Sequence, residues 1–152
     1  MQFLVFNRDR IESFTLDRPY VVISITEPNS KFPTLCFDEN RLNTLRLKFH
    51  DLNNEAREHI EKDYPTSPKA KSLVFFNEEQ ARQIVEFVKQ YKDQVEVIVC
   101  QCDAGISRSA GTAAALSKYI TGSDDFYFKH YLPNSLVYST ILNEFYKENK
   151  CN

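Results

Sequence analysis

Residues 95–100, Val-Glu-Val-Ile-Val-Cys, lie between two helical patterns, and this segment restricts the fold more than any other. Upstream, Asn77 and Gln80 have the spacing of a capping box, and Ala81, Ile84, Val85 and Val88 recur at helical intervals. Downstream, residues 109–119 are rich in Ala and free of Pro, so they read as a helix despite Gly111, with Gly122 ending it. A largely apolar strand between two helices is covered on both faces, the environment of a parallel strand. The chain is therefore expected to be α/β, with a mostly parallel central sheet flanked by helices.

The remaining elements fit this frame. Residues 3–6 and 20–25 are short apolar runs bounded by polar residues and Pro, and read as strands. Between them Asn7 can cap a short helix, making an early β-α-β unit. Residues 26–34, with Pro28, Asn29, Ser30 and Pro33, read as loop. Residues 44–49 alternate Leu45, Leu47 and Phe49 with Arg46 and Lys48, a strand running into His50 and Asp51. Asn53 or Asn54 caps a polar helix to about Asp63, which Tyr64 and Pro65 must end, and residues 52–72 look like an insertion or lid. A last helix is expected from Asn134 or Ser135 to Lys147, and Phe126, Tyr127, Phe128 and Tyr131 cluster as a packed helix face. At 152 residues the chain has room for a single domain, residues 1–152.

Composition excludes several classes of function. With 19 basic against 21 acidic residues, nothing suggests an electrostatic footprint for nucleic acid or an anionic membrane, so any bound anion must be captured locally. No apolar run approaches the ~20 residues of a membrane helix, and the start does not read as a secretion signal. A cytoplasmic monomer is expected. Cys36, Cys100, Cys102 and Cys151 have no metal-ligand spacing with His, so free thiols are expected, with no metal or other cofactor. Cys100 is expected in the core, and Cys36 could serve as a resolving thiol only if the fold brings it near Cys102. His50, His59 and His130 read as surface or packing residues, and Lys69 and Lys71 as solvated.

One segment carries chemistry. Between the apolar strand and the Ala-rich helix lies Cys102-Asp103-Ala104-Gly105-Ile106-Ser107-Arg108-Ser109. Where a parallel strand turns into a helix, backbone amides converge and the helix dipole adds partial positive charge, so the turn wants an anion. A thiol at Cys102 is there expected as the thiolate, its nucleophilic form. Arg108 can grip two phosphate oxygens with its fork of donors, and Gly105 lets the backbone curl close to the anion. The competing reading is an ordinary strand-helix turn with a core Cys and a solvated Arg.

This loop resembles the signature of the cysteine-dependent protein tyrosine phosphatases, His-Cys-x-x-Gly-x-x-Arg-Ser/Thr, with Gln101 in place of the His. The order of strand ending in Asp, helix, strand, loop and Ala-rich helix is similar to the compact dual-specificity-like branch, as is Pro133-Asn134 before the last helix. The resemblance implies hydrolysis of phosphotyrosine in proteins or of small aryl phosphates, with phosphoserine and phosphothreonine left open, through a cysteinyl-phosphate on Cys102. Residues 103–108 would bind the phosphate, and Ser109 would hydrogen-bond the sulfur as it leaves. Asp51 is the chosen general acid because it follows a strand, as the family's acid does; Asp63 is the reserve. Asp103, Ala104, Ile106 and Ser107 add no basic residue to the loop, which argues against phosphoinositide or RNA-triphosphate substrates. Two other readings are a phosphate-binding module of the same fold with weak or no turnover, and a sulfur- or arsenate-transferring enzyme, for which no suitably spaced partner cysteine is evident.

Overall fold

The computed structural model describes residues 1–64 and 66–150, so Pro65 and Cys151 lie outside the described residues. The strands are β1 (Gln2–Phe6), β2 (Tyr20–Thr26), β3 (Arg41–Lys48) and β4 (Val97–Gln101). The helices are α1 (Arg8–Glu12), α2 (Asn54–Asp63), α3 (Pro68–Lys71), α4 (Glu78–Tyr91), α5 (Arg108–Thr121), α6 (Asp125–His130) and α7 (Ser135–Lys150). All four strands are parallel, in the order β1-β4-β2-β3.

The pattern of burial follows from that order. The two inner strands, β2 and β4, are buried at every residue, because helices cover both faces of the sheet. Successive side chains alternate between two apolar layers. Val22, Val97 and Val99 pack with Phe6, Ile11 and Tyr20 beneath α1, while Ile23, Ile98 and Cys100 face the larger layer built by α4, α5 and α7. Within α4, Ala81, Ile84, Val85 and Val88 are fully buried, and the capping box forms as expected: Asn77 Oδ1 accepts from Gln80 N at 2.8 Å and Gln80 Oε1 from Asn77 N at 3.3 Å. The caps at Asn7 and Asn53 form as well, each side chain accepting an amide of the first helical turn.

Several boundaries depart from expectation for physical reasons. β3 starts at Arg41, three residues early, because it is the edge strand; its first half is polar and partly exposed, so no apolar alternation marks it. β4 runs from 97 to 101, continuing past Cys100 because Gln101 pairs with Phe6 on one side and Ser24 on the other. The final helix continues to Lys150. The aromatic cluster is not a packed face: Tyr127 is buried and donates to Phe3 O at 2.7 Å, whereas Phe126 and Phe128 are exposed. Residues 52–72 hold two short helices, α2 and α3, neither of which buries a residue. Among the described residues, no helix is long and apolar enough to cross a membrane.

Candidate active site

In a parallel sheet the carboxyl ends of the strands share one edge, and ligands gather there. Asn7 and Arg8 follow β1, Glu27 follows β2, Phe49 to Asp51 follow β3, and Cys102 and Asp103 follow β4. The site is built from these strand ends together with the loop of residues 102–107 and the first turn of α5.

The loop's carbonyls at Asp103, Ile106 and Ser107 are bonded. Asp103 O accepts from Arg8 N, Ile106 O from Leu132 N, and Ser107 O from both Gly111 N and Asn134 N, at 2.8–3.2 Å. The opposite holds for the amides: among the described residues, none from Asp103 to Ser107 donates to a protein acceptor. A run of amides without acceptors, leading into the positive end of a 14-residue helix, makes a concavity for an anion. Ser107 is the N-cap of α5 yet makes no side-chain cap bond, because its Oγ donates instead to Asp51 Oδ1 at 2.7 Å.

Gly105 is forced by this shape. Its φ is +68°, and a Cβ there would lie 2.6 Å from Asn7 N and 2.8 Å from the carbonyl carbon of Phe6. Gly105→Ala therefore combines a left-handed backbone penalty with a clash against the β1–α1 turn. We expect a loss of about 3 kcal/mol, read as a fall of roughly 6–12 °C in Tm for a chain of this size. A change within two degrees, on the same scale, would show that the loop does not lie against that turn.

Cys102 sits at the floor, 1% exposed, with its Sγ 3.0 Å from Ser109 Oγ. Its neighbour Cys100 differs in kind. Burial pushes the Cys100 thiol far above its usual range, and Cys102 adds to the effect, so Cys100 stays protonated in the core. Cys36 is placed elsewhere, its thiol donating to Phe14 O at 3.4 Å, so no contact makes it a partner of Cys102.

Arg108 is 4% exposed, and its guanidinium is held on three sides. Nη1 donates to Phe49 O at 2.8 Å, while Nη2 lies 3.2 Å from Glu27 Oε1 and 3.6 Å from Asp103 Oδ2. Its Nε is buried without an acceptor. Further out, Asp103 Oδ1 pairs with Arg8 Nη1 at 3.2 Å, and Glu27 Oε2 lies 3.7 Å from His50 Nε2. Glu27, Arg8 and the Phe49 carbonyl escaped the sequence reading; the signal that could have found them is their position just beyond the parallel strands.

Asp51 lies beside the loop. Its Oδ1 accepts from Ser107 Oγ at 2.7 Å and from Asn134 Nδ2 at 2.9 Å, and Oδ2 has no hydrogen bond among the described residues. Asp63 does not come to the loop: it ends α2 with its Oδ2 2.8 Å from His59 Nδ1. Gln101 is fully buried, its Oε1 accepting from Ser24 Oγ at 2.5 Å and its Nε2 without a partner. Among the described residues, no cluster of His, Cys, Asp and Glu could hold a metal ion.

No protein-family model matches the chain, and no curated protein does. Solved structures do. The human tyrosine phosphatase-like serine/threonine/tyrosine-interacting protein aligns over 88% of this chain and 80% of its own, at 17% identity and a TM-score of 0.51. PTPMT1 aligns over 86% and 78%, at 21% identity and a TM-score of 0.45. The all-parallel four-stranded sheet with its flanking helices thus has the tyrosine phosphatase-like fold.

Proposed function

We propose that this protein is a cysteine-dependent phosphatase that hydrolyses phosphotyrosine in proteins through a cysteinyl-phosphate. One observation carries the reading: Arg108 Nε and the amides of residues 103–107 form a set of donors with no protein acceptor, on the loop that begins at Cys102. Arg108 Nε is buried as well as unpaired; an unpaired buried donor costs about 1–3 kcal/mol, and one that follows a run of amides without acceptors needs a reason. A tetrahedral oxyanion satisfies them at once.

In the first step Cys102 Sγ attacks phosphorus, the S–P bond forming as the bond to the leaving oxygen breaks, and Asp51 gives that oxygen a proton. The loop amides and Arg108 hold the equatorial oxygens of the loose transition state. In the second step Asp51 takes a proton from water as it attacks phosphorus, and the sulfur leaves as thiolate toward the Ser109 hydroxyl 3.0 Å away. Asp51 suits both steps because Oδ1 is anchored while Oδ2 is unbonded.

The test is aryl phosphate turnover combined with acid quench: a phosphoryl group recovered on the Cys102 peptide supports the reading, and its absence during turnover overturns it. Asp51→Asn is expected to lower kcat about 10²-fold. The loss should be large for phenyl phosphate, whose leaving oxygen needs a proton, and small for dinitrophenyl phosphate, whose leaving group departs unprotonated. An equal loss on both substrates would remove Asp51 from the role. The second reading, a phosphate-binding module without turnover, has one observation in its favour: Asp51 Oδ1 is already held by Ser107 and Asn134, so the carboxyl braces the loop as it stands. Vanadate binding without hydrolysis would support it.

A further inference from the structure

A groove of about 660 Å³ opens directly beside the loop, between the loop, the start of α2 and the α6–α7 connection. Its apolar surface is unusual for a soluble face: Leu132 is 75% exposed, Phe128 49% and Ile106 46%. These side chains stand on a fixed frame. Leu132 N donates to Ile106 O at 3.1 Å, Asn134 Nδ2 reaches Leu52 O at 3.2 Å, and Asn54 N reaches Ser135 Oγ at 3.2 Å, so the two walls are tied together. The charge is one-sided. Asp51 and Glu55 line the groove, no Lys or Arg does, and Glu55 forms no ion pair among the described residues.

Resting on the phosphatase reading, we infer that this groove docks the residues flanking the phosphorylated residue of a protein substrate, taking an apolar side chain against Ile106, Phe128 and Leu132 and a Lys or Arg against Glu55. Three features select this occupant. The groove is continuous with the loop through Ala104, Ile106 and Ser107, so it lies next to a chain whose phosphate is held by the loop. Its acidic wall attracts a basic side chain and repels a polyphosphorylated headgroup or an anionic bilayer. The apolar residues are held in place before binding, so little ordering entropy opposes the contact.

The test uses Cys102→Ser protein, which binds without consuming ligand, and three fluorescent phosphotyrosine peptides: one flanked by Leu and Arg, one by Leu and Glu, one by Ser and Glu. The first is expected to bind at least about tenfold more tightly than the third, the gain from burying one apolar side chain and pairing one charge. Leu132→Ser should erase the preference for Leu, and Glu55→Lys should reverse the preference between Arg and Glu. Neither variant should alter wild-type-background turnover of phenyl phosphate, which meets the groove only at its inner rim, Asp51 and the loop, and does not extend to Leu132 or Glu55. Equal affinity for the three peptides, with orthovanadate still bound, overturns this inference alone. Tighter binding to phosphoinositide vesicles than to any peptide also overturns it, as does an equal loss on phenyl phosphate and peptide. Failure to bind orthovanadate overturns the phosphatase reading as well.

Discussion

Cys102→Ser is expected to reduce turnover of an aryl phosphate by about four orders of magnitude or more while leaving phosphate-analogue binding within a few-fold of wild type. The reason lies in the division of labour at the loop. The donors proposed to hold an anion are backbone amides and Arg108, none of which belongs to the Cys102 side chain. The proposed nucleophile is a single atom, the sulfur 3.0 Å from Ser109 Oγ. A serine hydroxyl at that place is not ionised and cannot open the S–P route, but it fits a volume slightly smaller than the thiol and keeps a partner in Ser109. Isothermal titration with orthovanadate and a rate measurement on the same preparation separate the two effects. Residual turnover within tenfold of wild type would mean that another group attacks phosphorus.

The core of the site was readable because its parts are adjacent in the chain. Cys102, Gly105, Arg108 and Ser109 fall within eight residues, between a strand and a helix that each carry a strong periodic signal. Local spacing then reports three-dimensional proximity almost directly. Asp51 required one more step, the rule that a parallel sheet places its strand ends together, and its contact with Ser107, 56 residues away, follows from that rule.

What was not readable depends on which strands are neighbours. Glu27 reaches Arg108 because β2 lies beside β4, and Arg8 reaches Asp103 because β1 lies on the other side. The order β1-β4-β2-β3 puts the last strand in the middle, and nothing in a hydrophobic pattern states that order. The edge position of β3 hid its first three residues for the same reason, since an edge strand can be polar without penalty. Phe126 and Phe128 misled in the opposite direction: an aromatic cluster reads as core, but a six-residue helix can bury only one side, and Tyr127 takes it.

Gln101 shows how a sequence departure acquires meaning from its surroundings. In the loop pattern this position is His, able to carry charge. Here the side chain is sealed beneath the loop, with one bond to Ser24 and an amide nitrogen that has no partner. A neutral residue suits a site that already concentrates charge, because Arg108, Asp103, Glu27 and Arg8 form a connected ionic network at the strand ends. The network balances two guanidinium groups with two carboxylates, which lets Arg108 stay buried without an uncompensated charge.

That network determines what Arg108→Lys should do. Lysine keeps the positive charge, so a role in charge balance alone predicts a small change in rate. The guanidinium, however, spends Nη1 on Phe49 O and Nη2 on Glu27 and Asp103, and still presents Nε as a free donor. An ammonium has one nitrogen and cannot serve the Phe49 carbonyl, two carboxylates and an incoming oxyanion from separate atoms. We expect kcat to fall about 10³-fold, the scale on which transition-state charge loses a dedicated arginine. KM for phenyl phosphate should change much less, because the loop amides still bind the ground state. A KM effect larger than the kcat effect would mean that Arg108 acts mainly in ground-state capture, and turnover within tenfold of wild type would mean that its free Nε is not aimed at the reacting phosphoryl group.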